Sequence, residues 1–192
     1  MTAFREIVQK NRSYRRFREN EPVDRETVLE LVDLARLVPS AANLQPLKYL
    51  VSCDPARNEK IFSCLNWAGY LKKWPGPEKG ERPAAYVVVL LDTDIAESPG
   101  FDPGISVQTL LLGAVERGLG GCMIGSVNRT ELAKTLGLPD SLQIYMVVAL
   151  GVPAENVVLE TLDPEKGVRY WRDADGTHHV PKRALDEVIV DI

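Results

Sequence analysis

A mixed α+β domain, one sheet with helices packed on it, is predicted by three features of the sequence. Two apolar runs, Ala84–Leu91 and Ile144–Val152, read as strands buried on both faces. Between them lies Phe101–Ser126, FDPGISVQTLLLGAVERGLGGCMIGS, whose Pro103–Val115 portion carries no charge and leaves almost no polar face. Helical and extended patterns alternate as far as residue 153, after which the chain becomes more polar. The implied order is helices, strand, helix, strand, buried helix, strand, helix, strand, arm.

Each element has its own signal. Phe4, Ile7 and Val8 line one face of a short first helix, followed by the basic run Asn11–Phe17. Asp24 caps a second helix in which Val28, Leu31, Val32 and Ala35 recur at helical spacing, and Pro39 breaks it. Pro39–Pro46 is a turn or short capped helix held between prolines. Lys48–Cys53 reads as the first strand. Asp54 followed by Pro55 is an N-cap with proline at the first helical position, which predicts a helix to about Leu65. Asn66–Pro83, with Trp67, Tyr70 and Trp74, is a long irregular loop that serves either as a lid over a pocket or as a satellite core.

The apolar helix after Phe101 is expected to take Asp102 as its N-cap and to be buried all round. A second subunit packed against it would cover it more easily than one chain alone. Gly118, Gly120 and Gly121 end it, and Cys122-Met123-Ile124 is a short strand. Asn128-Arg129-Thr130-Glu131 resembles a capping box, opening a helix that Gly137 closes. Gln143–Leu150 is another strand, cut off at Gly151-Val152-Pro153, and the polar remainder contains a hairpin around Asp175-Gly176. The expected organisation is a single domain over residues 1–192, with residues 1–153 as core and 154–192 as an arm.

Composition narrows the function. The 192 residues carry a formal net charge of −4, with no face-wide basic excess, which disfavours nucleic acid or a membrane surface as partner. No apolar run approaches the roughly 18–20 residues of a membrane span, and Met1–Lys10 is charged and amphipathic, so the expected location is the cytoplasm. Cys53, Cys64 and Cys122 show no metal spacing and read as reduced and structural. The two histidines, His178 and His179, are adjacent, so no metal site is expected. There is no Gly-x-Gly-x-x-Gly, no phosphate-binding Walker loop and no Gly-x-Ser-x-Gly. If the protein is an enzyme, a bound cofactor carries the hard step.

Three segments could bind such a cofactor. Arg12 and Arg15 present planar, always-charged forks suited to phosphate, and Ser13 adds a hydroxyl; the same run also fits a solvated basic turn at a helix end. Ser40, Asn43 and Gln45 could hydrogen-bond the edge of a planar heterocycle, or simply cap a helix. Ile124-Gly125-Ser126 could bring backbone close to a ligand, or be an ordinary strand-to-helix turn.

Together, the Arg-Ser-x-Arg-x-Phe run (Arg12, Ser13, Arg15, Phe17), the Pro-Ser-Ala-x-Asn-x-Gln-Pro run of Pro39–Pro46, the apolar helix with its Gly-rich exit (Gly104–Ser126) and Gly151-Val152-Pro153 resemble the nitroreductase family of FMN-dependent oxidoreductases. The motifs occur in the family's order and span nearly the whole chain. The resemblance implies a central mixed, mainly antiparallel sheet flanked by helices, in a homodimer with an exchanged C-terminal arm. It implies that Arg12, Ser13 and Arg15 hold the FMN phosphate and ribityl chain. Pro39, Ser40, Ala41, Asn43 and Gln45 would lie at the isoalloxazine edge, partly from the other subunit. Ile124, Gly125 and Ser126 would place backbone donors near the ring, and Lys182 and Arg183 of the arm would reach the phosphate. Where the family often has another arginine, this chain has Asn11, and it lacks the long insert found in members that reduce bulky nitroaromatics. The implied activity is ping-pong transfer from NADH or NADPH through FMN to a nitroaromatic, quinone or similar small acceptor, with no catalytic side chain. Alternatives on the same fold are a flavin-dependent dehalogenase, a flavin-fragmenting enzyme and a non-catalytic flavin-binding protein; a flavin-free interaction domain is a further alternative.

Overall fold

The strand Ala85–Asp92 is buried along almost its whole length, so both of its faces need a cover. The computed structural model, which describes residues 4–191, supplies one layer on each side. Its helices are α1 (Phe4–Lys10), α2 (Arg25–Arg36), α3 (Pro55–Phe62), α4 (Asp102–Glu116) and α5 (Arg129–Leu136). Its strands are β1 (Leu47–Ser52), β2 (Ala85–Asp92), β3 (Gly120–Ile124), β4 (Leu142–Gly151), β5 (Val157–Thr161), β6 (Trp171–Arg172) and β7 (His178–Lys182).

The main sheet runs β1-β2-β4-β3 and is antiparallel throughout. Val88 pairs with Leu50 on one side and Val147 on the other, and Cys122 pairs with Ala149. Side chains alternate across the pleat. Tyr86, Val88 and Leu90 face a core with Ile61 of α3, Leu132 of α5 and Trp67. Ala85, Val87 and Val89 face the other core, with Val28 and Leu31 of α2 and Val107 and Leu110 of α4. Burying each large aliphatic is worth about 1.5–3 kcal/mol. Trp67 thus belongs to a core, while the backbone next to it is left free to line a pocket. The parallel pairing expected of a mixed sheet occurs in the arm, where β5 lies parallel to β7 and β6 antiparallel to it.

The helix ends follow the predicted chemistry. Asp24 accepts from Thr27 N–H at 2.7 Å and Asp54 from Arg57 N–H at 2.8 Å. Asn128 accepts from Glu131 N–H, and Gly137 closes α5 in the left-handed conformation. Two expectations for α4 are corrected. Asp102 does not cap it: it sits inside the first turn, and its carboxylate instead receives the Ser40 hydroxyl and Ala41 N–H. Nor is α4 covered on all sides, since Ile105 is 42% exposed and Phe101, just before the helix, 85%. One chain covers the faces toward the sheet, α1 and α2 and leaves this apolar strip open. Among the described residues, no helix is long and apolar enough to cross a membrane.

Candidate functional site

The basic run after α1 lies along the edge of β3. Ser13 bridges Gly121 in parallel register, and Tyr14 N–H donates to the Gly121 carbonyl at 3.0 Å. Glycine is required for this approach: a Cβ on Gly120 would stand 2.5 Å from the Tyr14 ring, and one on Gly121 2.6 Å from the Ala149 carbonyl oxygen. The segment continues beside β4, with Phe17 buried and Arg18 N–H donating to the Val152 carbonyl at 2.9 Å.

This placement brings Arg15 into a pocket with the strand exit Cys122–Ser126, the loop Asn66–Gly69 and Tyr170 of the arm. The Arg15 guanidinium lies 4.8 Å from the Tyr170 ring centre and 3.3 Å from His178 Nε2. Among the described residues no carboxylate comes within salt-bridge distance of it, so its charge is free for an anion. Ser13 and Arg15 both act on the Cys122 thiol, as alternation in an extended segment requires. Burial pushes that thiol's pKa up despite Arg15, leaving an unreactive structural cysteine.

At the strand exit, two carbonyls are already engaged. Arg129 donates to the Gly125 carbonyl at 3.0 Å and to that of Tyr145 at 2.8 Å, while Asn66 N–H donates to the Ser126 carbonyl at 2.9 Å. The N–H groups of Gly125 and Ser126 donate to no acceptor among the described residues. They are the pocket's spare donors.

The Pro39–Pro46 turn stands elsewhere. It is a tight 3₁₀ turn with Ala42, Asn43 and Gln45 at φ of 49°, 55° and 53°. Such conformations are strained for residues other than glycine and persist where the surroundings impose them. Asp102 anchors it at Ser40 and Ala41, the Ser40 hydroxyl receives Gln45 N–H at 2.9 Å, and the Gln45 amide donates to the Asn43 carbonyl at 3.0 Å. The turn borders its own small cavity, which shares no residue with the Arg15 pocket. One chain therefore brings Arg15, Ile124, Gly125 and Ser126 together, but not Pro39, Ser40, Ala41, Asn43 and Gln45 with them.

A model of the nitroreductase family matches residues 8–152. The chain belongs to the nitroreductase family. Its relatives include an Archaeoglobus fulgidus protein provisionally named an NADH dehydrogenase/NAD(P)H nitroreductase, 26% identical, with 78% of this chain and 84% of that one covered. The iodotyrosine deiodinase of Thermotoga neapolitana is 24% identical, with 77% and 87% covered. Among solved structures, an FMN-dependent nitroreductase from Clostridium difficile R20291 shares the fold at a TM-score of 0.65 and 18% identity, over 83% of this chain and 92% of that one.

In this member of the nitroreductase family, one end of the pocket offers donors of the kind an anionic ligand takes. Arg15 offers an uncompensated fork and Gly125 and Ser126 offer free donors. The pocket's volume, about 180 Å³, lies below the roughly 300–1,000 Å³ typical of small-molecule sites. Three expected residues are placed otherwise. Arg12 turns back onto the first helix, donating to the Val8 carbonyl at 2.8 Å, and burial lowers its pKa. Lys182 ends β7, and Arg183 lies 3.9 Å from Glu187. Neither residue lines the Arg15 pocket.

Sequence reading missed the residue that ties the nitroreductase-family core to its arm. Glu155 is buried to 1% side-chain exposure; it accepts the N–H groups of Arg15 and Arg16 and pairs with Arg172 at 2.6 Å. A single glutamate after Pro153 in a polar stretch carries no local signal. The adjacent histidines were also read only as too close for metal binding. His178 is fully buried; its Nε2 accepts from Arg15, which leaves its Nδ1 proton without a partner. Burial, then the Arg15 charge, lowers its pKa to about 4. His179 stacks on Trp171 at 4.0 Å, and its bonds to Asp173 and Glu160 raise its pKa.

The two histidines give opposite pH dependences. The neutral His178 contributes stability that is complete above about pH 6.5 and falls by about 3 kcal/mol as pH drops to its folded value. The charged His179 contributes stability that is complete below about pH 6.5 and is lost as pH rises through its raised value. The urea midpoint is therefore expected to peak near pH 6.5. A midpoint unchanged between about pH 5 and 6.5 would contradict the assignment for His178.

Proposed function

We propose that the protein is an FMN-dependent oxidoreductase that works as a homodimer, passing reducing equivalents from NADH or NADPH to a nitroaromatic, quinone or similar small acceptor. The observation that carries this reading is the pocket where an uncompensated Arg15 faces the free N–H groups of Gly125 and Ser126. When bound, FMN would supply the redox chemistry, accepting and returning a hydride equivalent on its ring. Arg15 would hold the phosphate end, with Ser13 beside it. Gly125 and Ser126, oriented by Arg129 and Asn66, would donate to the ring edge. The Ser40, Asn43 and Gln45 groups of a second copy would close the pocket from the far side. Trp67, in the core, anchors the loop that lines the pocket.

The test is anaerobic titration of the purified protein with each nicotinamide while the flavin absorption band is followed. Bleaching of the band, and its return on adding a quinone or nitroaromatic, is expected. A colourless protein that takes up no added FMN would end the proposal. The deiodinase relative makes a halogenated phenol a worthwhile acceptor in the same assay.

The open strip on α4 supports the homodimer. Ile105 is exposed on the first turn of α4 and Phe101 just before it, and Phe4, 70% exposed, lies on the helix packed against α4. Ile105→Glu would place a charge in the subunit contact, which costs several kcal/mol when unpaired. Its self-association constant should weaken by about a hundredfold, with loss of flavin, as measured by sedimentation. Wild-type assembly in this variant would show that the contact lies elsewhere.

A further inference from the structure

We propose that the cleft formed by Arg16, Lys72, Lys73, Trp74, Arg169 and Arg172 binds the phosphorylated adenosine end of the reductant, so that the enzyme selects NADPH over NADH. This rests on the oxidoreductase reading above and adds to it the choice of reductant.

The cleft is an exception to the molecule's charge. The chain carries a net −4, yet the cleft gathers five cations and has no carboxylate in its lining. Two of the five are already paired: Arg16 lies 3.2 Å from Glu81 and Arg172 2.6 Å from Glu155. Lys72, Lys73 and Arg169 have no carboxylate partner among the described residues. Their charges remain available, and the low-dielectric floor beneath them is aromatic: the Arg172 guanidinium packs on the Trp74 ring at 4.3 Å. At about 580 Å³, the cleft falls within the size range of small-molecule sites.

It also adjoins the flavin pocket. Tyr70 lines the cleft and Tyr170 the pocket; their ring centres are 4.9 Å apart, and Tyr70 N–H lies 3.4 Å from the Tyr170 hydroxyl. The tyrosine pair is thus a shared wall over which an extended dinucleotide can pass. Tyr70 is 52% exposed and presents a face on which an adenine can stack, with Arg169 5.8 Å from its ring centre. The 2′-phosphate of NADPH adds nearly two negative charges that NADH lacks. Three free cations distinguish the two by charge alone, while the stacking surface serves both.

The test uses the flavin-loaded protein and a Lys72→Ala/Lys73→Ala/Arg169→Ala variant; the first two positions are exposed loop sites and the third an exposed site in the arm. Calorimetry with 2′,5′-ADP and with 5′-AMP reads the cleft without requiring turnover. The wild type should bind 2′,5′-ADP at least roughly tenfold more tightly than 5′-AMP at low salt, and the advantage should shrink as salt screens it. In the variant the advantage should vanish, the KM for NADPH should rise roughly 10- to 100-fold and that for NADH less than about threefold. Equal affinity for the two nucleotides in the wild type, or an unchanged advantage in the variant, would overturn the proposal. Loss of flavin from the variant would overturn it too, because the cleft would then hold the flavin's own phosphate. If neither nicotinamide bleaches the flavin, the oxidoreductase reading fails, and the calorimetric comparison still decides what the cleft binds.

Discussion

Arg15→Ala is expected to weaken FMN binding by roughly 10- to 150-fold, the loss of one charge-assisted interaction of about 1.5–3 kcal/mol. Arg15 is ordered by the protein on both its backbone and its side chain. Its backbone is held by Glu155 and its guanidinium is steered by the Tyr170 ring and by His178. The group pairs with no carboxylate among the described residues, so its removal orphans none there; it takes away the donor to His178 Nε2, a loss the fold should tolerate. Arg15→Lys should recover only part of the affinity, since an ammonium cannot present two parallel donors. Fluorescence titration of apoprotein with FMN measures the effect. Unchanged affinity in the alanine variant would remove Arg15 from the site and, with it, the main support for the pocket's assignment.

Glu155→Ala should be the most destabilising single change, by about 3–5 kcal/mol, because it strands Arg172 as an uncompensated, largely buried charge. Arg172 has a side-chain exposure of 11%, and burial already lowers its pKa. Two backbone N–H groups, of Arg15 and Arg16, would lose their acceptor in the same step. For a chain of this length the melting temperature should fall by roughly 6–20 °C. Removing both charges, as Glu155→Leu with Arg172→Met, should recover much of the loss, because an apolar pair leaves nothing buried and unpaired. A Glu155→Ala variant melting within about 2 °C of the wild type would show that the clamp contributes little. Flavin affinity should fall in parallel, since the same carboxylate positions Arg15.

The elements were legible where their signals are local. Asp24, the Asp54-Pro55 pair, Asn128 and Gly137 act within one helical turn of themselves, and each marks the boundary its chemistry predicts. The continuous apolar run of Ala85–Asp92 marks a strand buried on both faces, and its side chains enter the two cores alternately, with a period of two. What escaped was long-range. Asp102 has the right residue type and position for a cap, yet its partners Ser40 and Ala41 lie some sixty positions earlier, brought there by tertiary packing. Arg129 looked like the interior of a capping box and proved to lock the strand exit by three carbonyl contacts. Glu155 and Arg172 are ordinary surface residue types until the arm folds back. Among the expected site residues, Arg15 and Gly125 line one pocket, and both stand out in the sequence, as part of a basic run and as a glycine after a strand. Arg183 has only its position in the arm to recommend it, and in one chain it lies beside Glu187 and outside the Arg15 pocket.

In the proposed dimer, keeping Arg15 and the Ser40–Gln45 turn at separate places on one chain would make colour a collective property. If each bound flavin needs walls from two polypeptides, the concentration of loaded sites scales with the square of protein concentration in dilute solution, and the occupancy per chain falls in proportion to dilution. A stock diluted far enough should lose its yellow before it unfolds, and added flavin should drive polypeptides to pair.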